Sequence, residues 1–521
     1  MLAAINWDWL RSPWLYLPLV GLVAAAMLAV CGIAVRQYFF GPRYIPRLIN
    51  KYLVRRRIAW VSLIAVTLCT AMVLIVFSVM DGWLTMFKAK FRGMSGDIVV
   101  YRSSVNGFGG YKEMLDKIRA MPEVDNAAPL IHSFGLLNIN NRDSVAVAVT
   151  GMDLRQYGKF NKFRESLLRQ YQKPVEDGQQ PTTSPSFDLL PDIQYSAYAG
   201  DGDEATKWPG MIVGGPIFGI RNNGQFQDAV DLGLFKTRCR LDVVPMTEET
   251  RSLKNVTPTS SLFWVVDVSR TKLFQLDERV YVPFEVLQKD LKMNEREYQE
   301  EVDGKLAKFV TPARCSEIQI NLKPGVDRMK MVDTIGALVR TINRTVEPTQ
   351  DFLRPIRVEP WEKKQEDFLS AVENEKSLLT FLLALISLVA IFLIFCILYM
   401  IVVEKTKDIG IIKSVGATSG GIATIFLGYG MAIGVVGGVS GIGVGWLVMT
   451  NINAIHNGVA AVIGRPIWNP EIYAFDKIPD TVNPTAAVVC VTAAVLSAVI
   501  GALVPAVRAA KLNPVEALRF E

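Results

Sequence analysis

Five stretches of this chain, 14–35, 58–80, 378–403, 422–449 and 486–507, contain no Asp, Glu, Lys, Arg or His. A bilayer core about 30 Å thick takes about 20 apolar residues in a helix, so each run is long enough to cross it. A soluble chain of 521 residues, half of them apolar, would rarely concentrate its apolar residues in this way. Five crossings constrain everything else, because the segments between them must alternate sides.

Charge sets the direction. The segment 36–57 holds Arg36, Arg43, Arg47, Lys51, Arg55, Arg56 and Arg57 and no acid, so the positive-inside rule puts it in the cytoplasm. The expected layout follows: a short extracytoplasmic N-terminus (1–13), a first span (14–35), the basic cytoplasmic segment (36–57), and a second span (58–80). Then come a large extracytoplasmic domain (81–377), a span (378–403), a cytoplasmic loop (404–421), a span (422–449), an outer loop (450–485), a span (486–507) and a cytoplasmic tail (508–521). Within the basic segment, residues 43–57 read as an amphipathic helix on the membrane surface rather than a nucleic-acid patch. The first run reads as a retained span rather than a signal peptide, since cleavage would strand the basic segment outside.

The region 81–377 mixes strand-like runs (97–101, 144–151, 262–268, 316–322) with amphipathic helical ones (111–120, 326–342). That predicts an α+β domain in two subdomains. Residues 171–209, rich in Pro, Gly, Ser, Thr and Asp, read as a mobile surface insertion. No Pro or Gly occurs from Trp361 to Ile409, so 361–403 is expected as one helix of about 64 Å. Cys239 and Cys315 are a candidate disulfide pair; the remaining cysteines lie in the apolar runs.

Catalytic and cofactor signatures are lacking. The histidines, His132 and His456, have no ligand partners at metal spacing. The phosphate loop is missing, since Gly158-Lys159 continues with Phe160 and Gly304-Lys305 with Leu306. The runs hold no ionisable residue, which argues against ion-coupled transport. No cofactor is expected, and energy must come from a partner.

Two patterns stand out. In 404–418, EKTKDIGIIKSVGAT, Ile409, Ile412 and Val415 form an apolar stripe, Lys405, Asp408 and Lys413 supply charge around it, and Gly410 and Gly416 break or turn the backbone. A short helix of that kind suits a groove on another protein. In the fourth run, Gly430, Gly434 and Gly438 repeat every four residues, as do Gly437, Gly441 and Gly445, which lets another helix approach closely, inside the bundle or across a dimer seam.

With IFLGYGMAIGVVGGVSGIGVG behind it, the 404–418 stretch resembles the shared core of the MacB/FtsX superfamily of ABC transporter permeases. FSVMDGW (77–83), FWVVDVSRTKLFQLDERVYVPFEVLQ (263–288), WEKKQEDFLSAVENEK (361–376) and PAVRAAKLNPVEALRFE (505–521) resemble its lipoprotein-releasing (LolC/LolE-type) branch. The resemblance implies an α-helical membrane protein with a large α+β extracytoplasmic domain, here with one extra N-terminal span. It implies a multi-pass protein of the bacterial inner membrane, a cytoplasmic ABC ATPase subunit that binds the ATP, and a second permease copy or paralogue. It further implies mechanotransmission, ATP-driven motion passed to the outer domain, with a lipoprotein substrate and a periplasmic carrier. FtsX-like signalling and MacB-like efflux are the alternatives. The ATPase-coupling positions are Glu404, Lys405, Asp408, Gly410, Lys413, Gly416 and Ala417. Under this reading Met72, Phe77 and Met80, near the outer end of a span, are candidates for acyl-chain contact.

Overall fold

The computed structural model describes residues 57–519, apart from 105, 141–142, 161, 192, 194, 196–206, 221–225, 246–256, 303–304, 347–353, 466–467, 469–474 and 476. The expected first span, 14–35, and the basic segment up to residue 56 lie outside the described residues. The chain divides into two compact units. One comprises residues 1–84, 371–467 and 478–521; the other comprises 85–370 and 468–477.

The first unit is a helix bundle. Among the described residues, four helices are long and apolar enough to cross a membrane: α1 (Arg57–Ser95), α4 (Glu366–Glu404), α6 (Ser419–Thr450) and α8 (Pro484–Lys511). Between them lie α5 (Thr406–Ser414), α7 (Ile452–Ile463) and, at the end, α9 (Pro514–Arg519). The expected single helix over 361–403 is interrupted once. A turn at Trp361–Lys364 ends at Gln365, whose φ of −101° and ψ of 20° are not helical, and α4 then runs unbroken through 39 residues. Pro360 caps that first turn, and Trp361, 2% exposed, is held by stacking on Phe91 at 5.7 Å.

The glycine repeats organise the bundle, and they serve two different neighbours. A Cβ on Gly434 would stand 2.8 Å from Val495 Cα and 3.0 Å from Ala498 Cβ, and one on Gly430 would stand 2.5 Å from Ala502 Cβ. Gly438 sits in ordinary contact with Val491 and Ala494, so the 430/434/438 face packs on α8. A Cβ on Gly437, Gly441 or Gly445 would meet Val66, Thr70 or Leu74 at 2.9, 2.7 and 2.9 Å, so this face packs on α1. In a medium as apolar as the side chains themselves, close backbone approach supplies the attraction that hydrophobic burial supplies in water. Gly501 repeats the device between α8 and α4, where a Cβ would stand 2.8 Å from Ile391 O. Lys376 and Asp81, 3.1 Å apart, and Cys69 with Ser387 join α1 to α4.

The second unit is α+β. Its main sheet has nine strands: β1 (Ile98–Tyr101), β2 (Val124–Ile139), β3 (Asp143–Met152), β4 (Gly210–Gly214), β5 (Arg238–Val243), β6 (Thr259–Ser269), β7 (Arg279–Pro283), β8 (Glu317–Leu322) and β9 (Arg357–Pro360). Their order is β9-β1-β8-β2-β3-β7-β4-β6-β5, and β5 pairs back to β2, closing a six-strand ring. The 16 residues of β2 make this possible: its first half pairs with β8, and its second half pairs with β3 on one edge and β5 on the other. Gly135 sits at the closure, where a Cβ would lie 2.9 Å from Asp242 O. The two expected subdomains are therefore two sheet regions that share a strand. One is the ring. The other is an open four-strand region carrying α2 (Tyr111–Arg119) and α3 (Arg328–Val346), which bury Met114, Ile118, Met331, Ile335 and Val339 against it.

The continuous run at 263–269 is buried on both faces. Val265 joins the main core, while Val266 joins a second cluster with Leu154, Tyr157, Phe163 and Tyr281. The segment expected as a surface insertion contributes to this packing. Leu190 and Tyr195 are buried, Tyr195 lies 4.9 Å from the Trp264 ring, and Gln170 bonds the Ser186 backbone in both directions. Cys239 and Cys315 are both buried free thiols rather than a disulfide; burial pushes the Cys239 thiol up to about 12 and raises Cys315 as well.

Asp277 is 1% exposed and accepts from Thr271 N at 2.6 Å and Thr271 Oγ1 at 2.7 Å. Burial outweighs these bonds and lifts its carboxyl to about 6. The unfolded chain ionises this group near 3.8, so stability contributed by the neutral form is present below that value and lost as pH rises through about 6. Asp277→Asn should remove this slope and stabilise the second unit at pH 8 by on the order of 2 kcal/mol, read from thermal melting at pH 4 and pH 8.

Candidate coupling site

The loop between α4 and α6 is built by its own backbone. Helix α4 ends at Glu404, and Lys405, with φ −102° and ψ 12°, caps α5. Lys405 Nζ reaches Asp408 Oδ2 at 2.5 Å, placing an acid in the first turn, where the helix dipole favours it. Gly410 does not break the chain: it lies inside α5 and is buried. Gly416 does turn it, at φ 107°. There the Ala417 N–H donates to Ile412 O at 3.2 Å and the Gly416 N–H to Lys413 O at 3.0 Å. This is the Schellman pattern, whose left-handed residue only glycine adopts at low cost. Two residues on, Thr418 Oγ1 accepts from Gly421 N at 3.1 Å and starts α6.

The expected apolar stripe splits between two environments. Ile409, 4% exposed, packs into the bundle core with Ile401, Ile422, Phe426 and Ala506, and Ile412 is half-buried. Ala417 leans on the same cluster. The exposed apolar side chains are Ile411, at 49%, and Val415, at 84%, four residues apart on one face with Lys407 a further turn back. The three-residue spacing that suggested an outward stripe at 409, 412 and 415 instead tracks the edge of the inward face. Glu404 is also exposed.

Lys413 also differs from expectation. Its ammonium donates to Ala510 O and Leu512 O, each at 2.7 Å, and so binds the carbonyls at the C-terminal end of α8. Cations are favourable there because the last carbonyls of a helix carry partial negative charge. Lys413 thus fastens α5 to the end of α8, and the six-residue α9 packs against α5 beside it with Ala517 buried and Val515 exposed. Arg508, in the last turn of α8, donates to Tyr399 OH and lies over that ring, tying the same end to α4.

The other expected sites stand apart from this region. Met72 is 47% exposed on α1, and Phe77 and Met80 are half-buried. A small cavity of about 60 Å³ inside the bundle is lined by Cys69, Thr70, Ser387, Cys490 and Ser497 and by none of those three. Among the described residues no three His, Cys, Asp or Glu side chains converge as a metal site.

Residues 380–514 match the family model described as FtsX-like permease C-terminal. The chain is 29% identical over 225 residues to the lipoprotein-releasing system transmembrane protein LolC of Neisseria meningitidis serogroup B, covering 42% of this chain and 52% of that protein. It is 28% identical over 168 residues to LolE of Haemophilus influenzae, covering 32% and 40%. It is also 28% identical over 160 residues to the macrolide export ATP-binding/permease protein MacB of Chromobacterium violaceum, covering 30% and 22%. These matches span about half the length of the relatives or less. The periplasmic region of MacB from Actinobacillus actinomycetemcomitans aligns over 53% of this chain and 94% of its own length at 10% identity and a TM-score of 0.27. The matched residues take in the C-terminal part of α4, from residue 380, together with α5, α6 and α8, the helices that hold the capped loop, so this part of the chain is an FtsX-like permease domain similar to those of ABC transporter permeases.

Proposed function

We propose that this chain is the permease subunit of an ABC transporter of the bacterial inner membrane and that it works by mechanotransmission. A separate cytoplasmic ATPase pushes on α5, and the second unit, outside the membrane, does the work. The observation that carries this reading is the construction of α5. It is capped at both ends, keyed into the bundle by Ile409 and fastened to α8 by Lys413, and it still presents Lys407, Ile411 and Val415 outward. A rigid helix with an outward apolar pair can receive a push and pass it to α4, α6 and α8 together.

The proposed cargo is a lipoprotein, handed to a periplasmic carrier, with the permease acting as a dimer with a second copy or a paralogue. Similarity to LolC and LolE supports this reading. The energetics fit: each buried methylene holds an acyl chain by about 0.8 kcal/mol, so a multiply acylated protein does not leave a bilayer unaided. Met72, Phe77 and Met80 remain the proposed acyl contacts. Similarity to MacB supports a second reading, export of a small molecule or peptide. Mass spectrometry of what co-purifies from native membranes separates the two: acylated protein supports the first, a periplasmic adaptor the second.

Val415→Asp and Ile411→Asp should each abolish co-purification of the ATPase, while the melting temperature of the purified permease stays unchanged, because both side chains face outward. Lys413→Glu should behave differently: it sets a carboxylate against two carbonyls and should lower the melting temperature as well. An ATPase that still binds the Val415→Asp variant at full strength would remove α5 from the interface.

A further inference from the structure

The second unit contains a cleft of about 730 Å³ between α2, the helix Phe284–Asp290 and the segments 186–189 and 208–210. That is within the range of ligand sites, roughly 300–1,000 Å³. Its floor is apolar: Leu115 and Phe284 are fixed in the core, and Phe187, Leu189 and Trp208 are half-buried. Its shape is held from behind. Trp208 stacks on the buried Trp264 at 5.6 Å, and Gly210 lets the Phe187 backbone press in, since a Cβ there would stand 2.2 Å from Phe187 O. Arg155 and Asp188, 2.9 Å apart, tie the 186–189 wall to residue 155 on the opposite strand connection.

The rim carries both signs equally, with Lys112, Arg119 and Arg155 against Asp153, Asp188 and Glu285. Most of these are engaged: Arg119 donates to Ala127 O and Gln156, Asp153 accepts from the Arg155 and Gln156 backbone, and Arg155 pairs with Asp188. Lys112 and Glu285 are exposed and unpaired among the described residues, and Trp208 lines the same cleft.

We propose that this cleft binds an extended stretch of polypeptide carrying alternating apolar and charged side chains. A balanced rim gives a nucleic acid or free phosphate no net attraction. An acyl chain has no use for a cation and an anion around one apolar floor. A polypeptide uses all of them. Its alternate side chains point to opposite sides and fill the floor, and its charged ones meet Lys112 and Glu285. The proposal stands on the second unit alone and does not depend on the ATPase reading.

The test uses the full chain in lipid nanodiscs and fluorescein-labelled hexapeptides that alternate Leu or Phe with Lys or Glu, read by fluorescence anisotropy. Saturable binding is expected. Lys112→Glu should weaken the Glu-bearing peptides about tenfold, and the Lys112→Glu/Glu285→Lys double variant should invert the preference between Lys- and Glu-bearing positions. Both side chains are exposed, so circular dichroism should stay unchanged. Absence of saturable binding up to about 1 mM, an unchanged preference in the swapped variant, or binding of sodium dodecanoate that the peptides do not displace would overturn the assignment.

Discussion

Glu317→Gln should destabilise the second unit more than any other single change considered in it, by about 3–5 kcal/mol. Glu317 opens β8 at 2% exposure. Its carboxylate pairs with Lys364, receives His132 Nε2 at 3.1 Å, and receives Gln319 Nε2 at 2.9 Å. Burial pulls its pKa up, but the Lys364 charge and the His132 bond outweigh it and hold the carboxyl well below the usual carboxylate range. The network continues through Gln319 to Tyr157, whose hydroxyl donates to Met94 O near the end of α1, and through His132 to Thr150 and Arg279. Removing the charge leaves Lys364 facing a neutral amide in a site built for an anion. The measurement is a thermal melt of the purified chain at pH 7.5. A Glu317→Gln/Lys364→Met double variant should recover much of the loss, and a double variant as unstable as the single would show that the pairing is not the cause.

The same carboxylate gives a pH dependence with a definite sign. Its folded pKa lies below the unfolded value of 4.5, so its stabilisation is complete above that value and lost as pH falls through the folded pKa. His132 acts in the same direction, because burial lowers its pKa below 6.5 and the unfolded chain takes up its proton first. Acid should therefore weaken the wild-type network progressively below about pH 6.5, and Glu317→Gln should remove the carboxylate part of that loss. Asp277 runs opposite to both, being favoured by acid.

The second large effect concerns two glycines one residue apart from being neighbours. Gly441→Ala should destabilise the bundle by about 1–3 kcal/mol, since the new methyl would lie 2.7 Å from Thr70 Cβ and 2.8 Å from Thr67 O, and a backbone atom cannot move aside as a side-chain tip can. Gly443→Ala meets nothing within 4 Å and should gain about 0.5–1 kcal/mol from the helix preference for alanine. Melting both variants in the same detergent checks the contrast. A loss at Gly443 of similar size would mean that a second chain seats on that face.

Several features of the fold are legible in the sequence. The strand runs at 97–101, 144–151, 262–268 and 316–322 and the helical runs at 111–120 and 326–342 each appear within a few residues of where alternation and 3.6-residue periodicity put them. These are local patterns, and burial of one face follows from them directly. The SVGAT stretch was legible in part: Gly416 turns the chain because a left-handed residue must follow α5. Gly410, two turns earlier, is the same residue type in a position that needs no turn, and composition alone cannot tell them apart.

Local pattern in the sequence was enough for the four long apolar helices among the described residues, the α+β character of the region between the first two of them, and the short charged helix at 406–414. Partnership was decided only by the tertiary structure. It assigned one glycine face of α6 to α8 and the other to α1, turned Ile409 inward and Val415 outward, placed Lys413 on the end of α8, closed a ring of strands through β2, and left Cys239 and Cys315 apart. Periodicity is a property of one segment and follows from bond geometry. Which segment a face meets depends on residues a hundred or more positions away, and no local pattern carries that information.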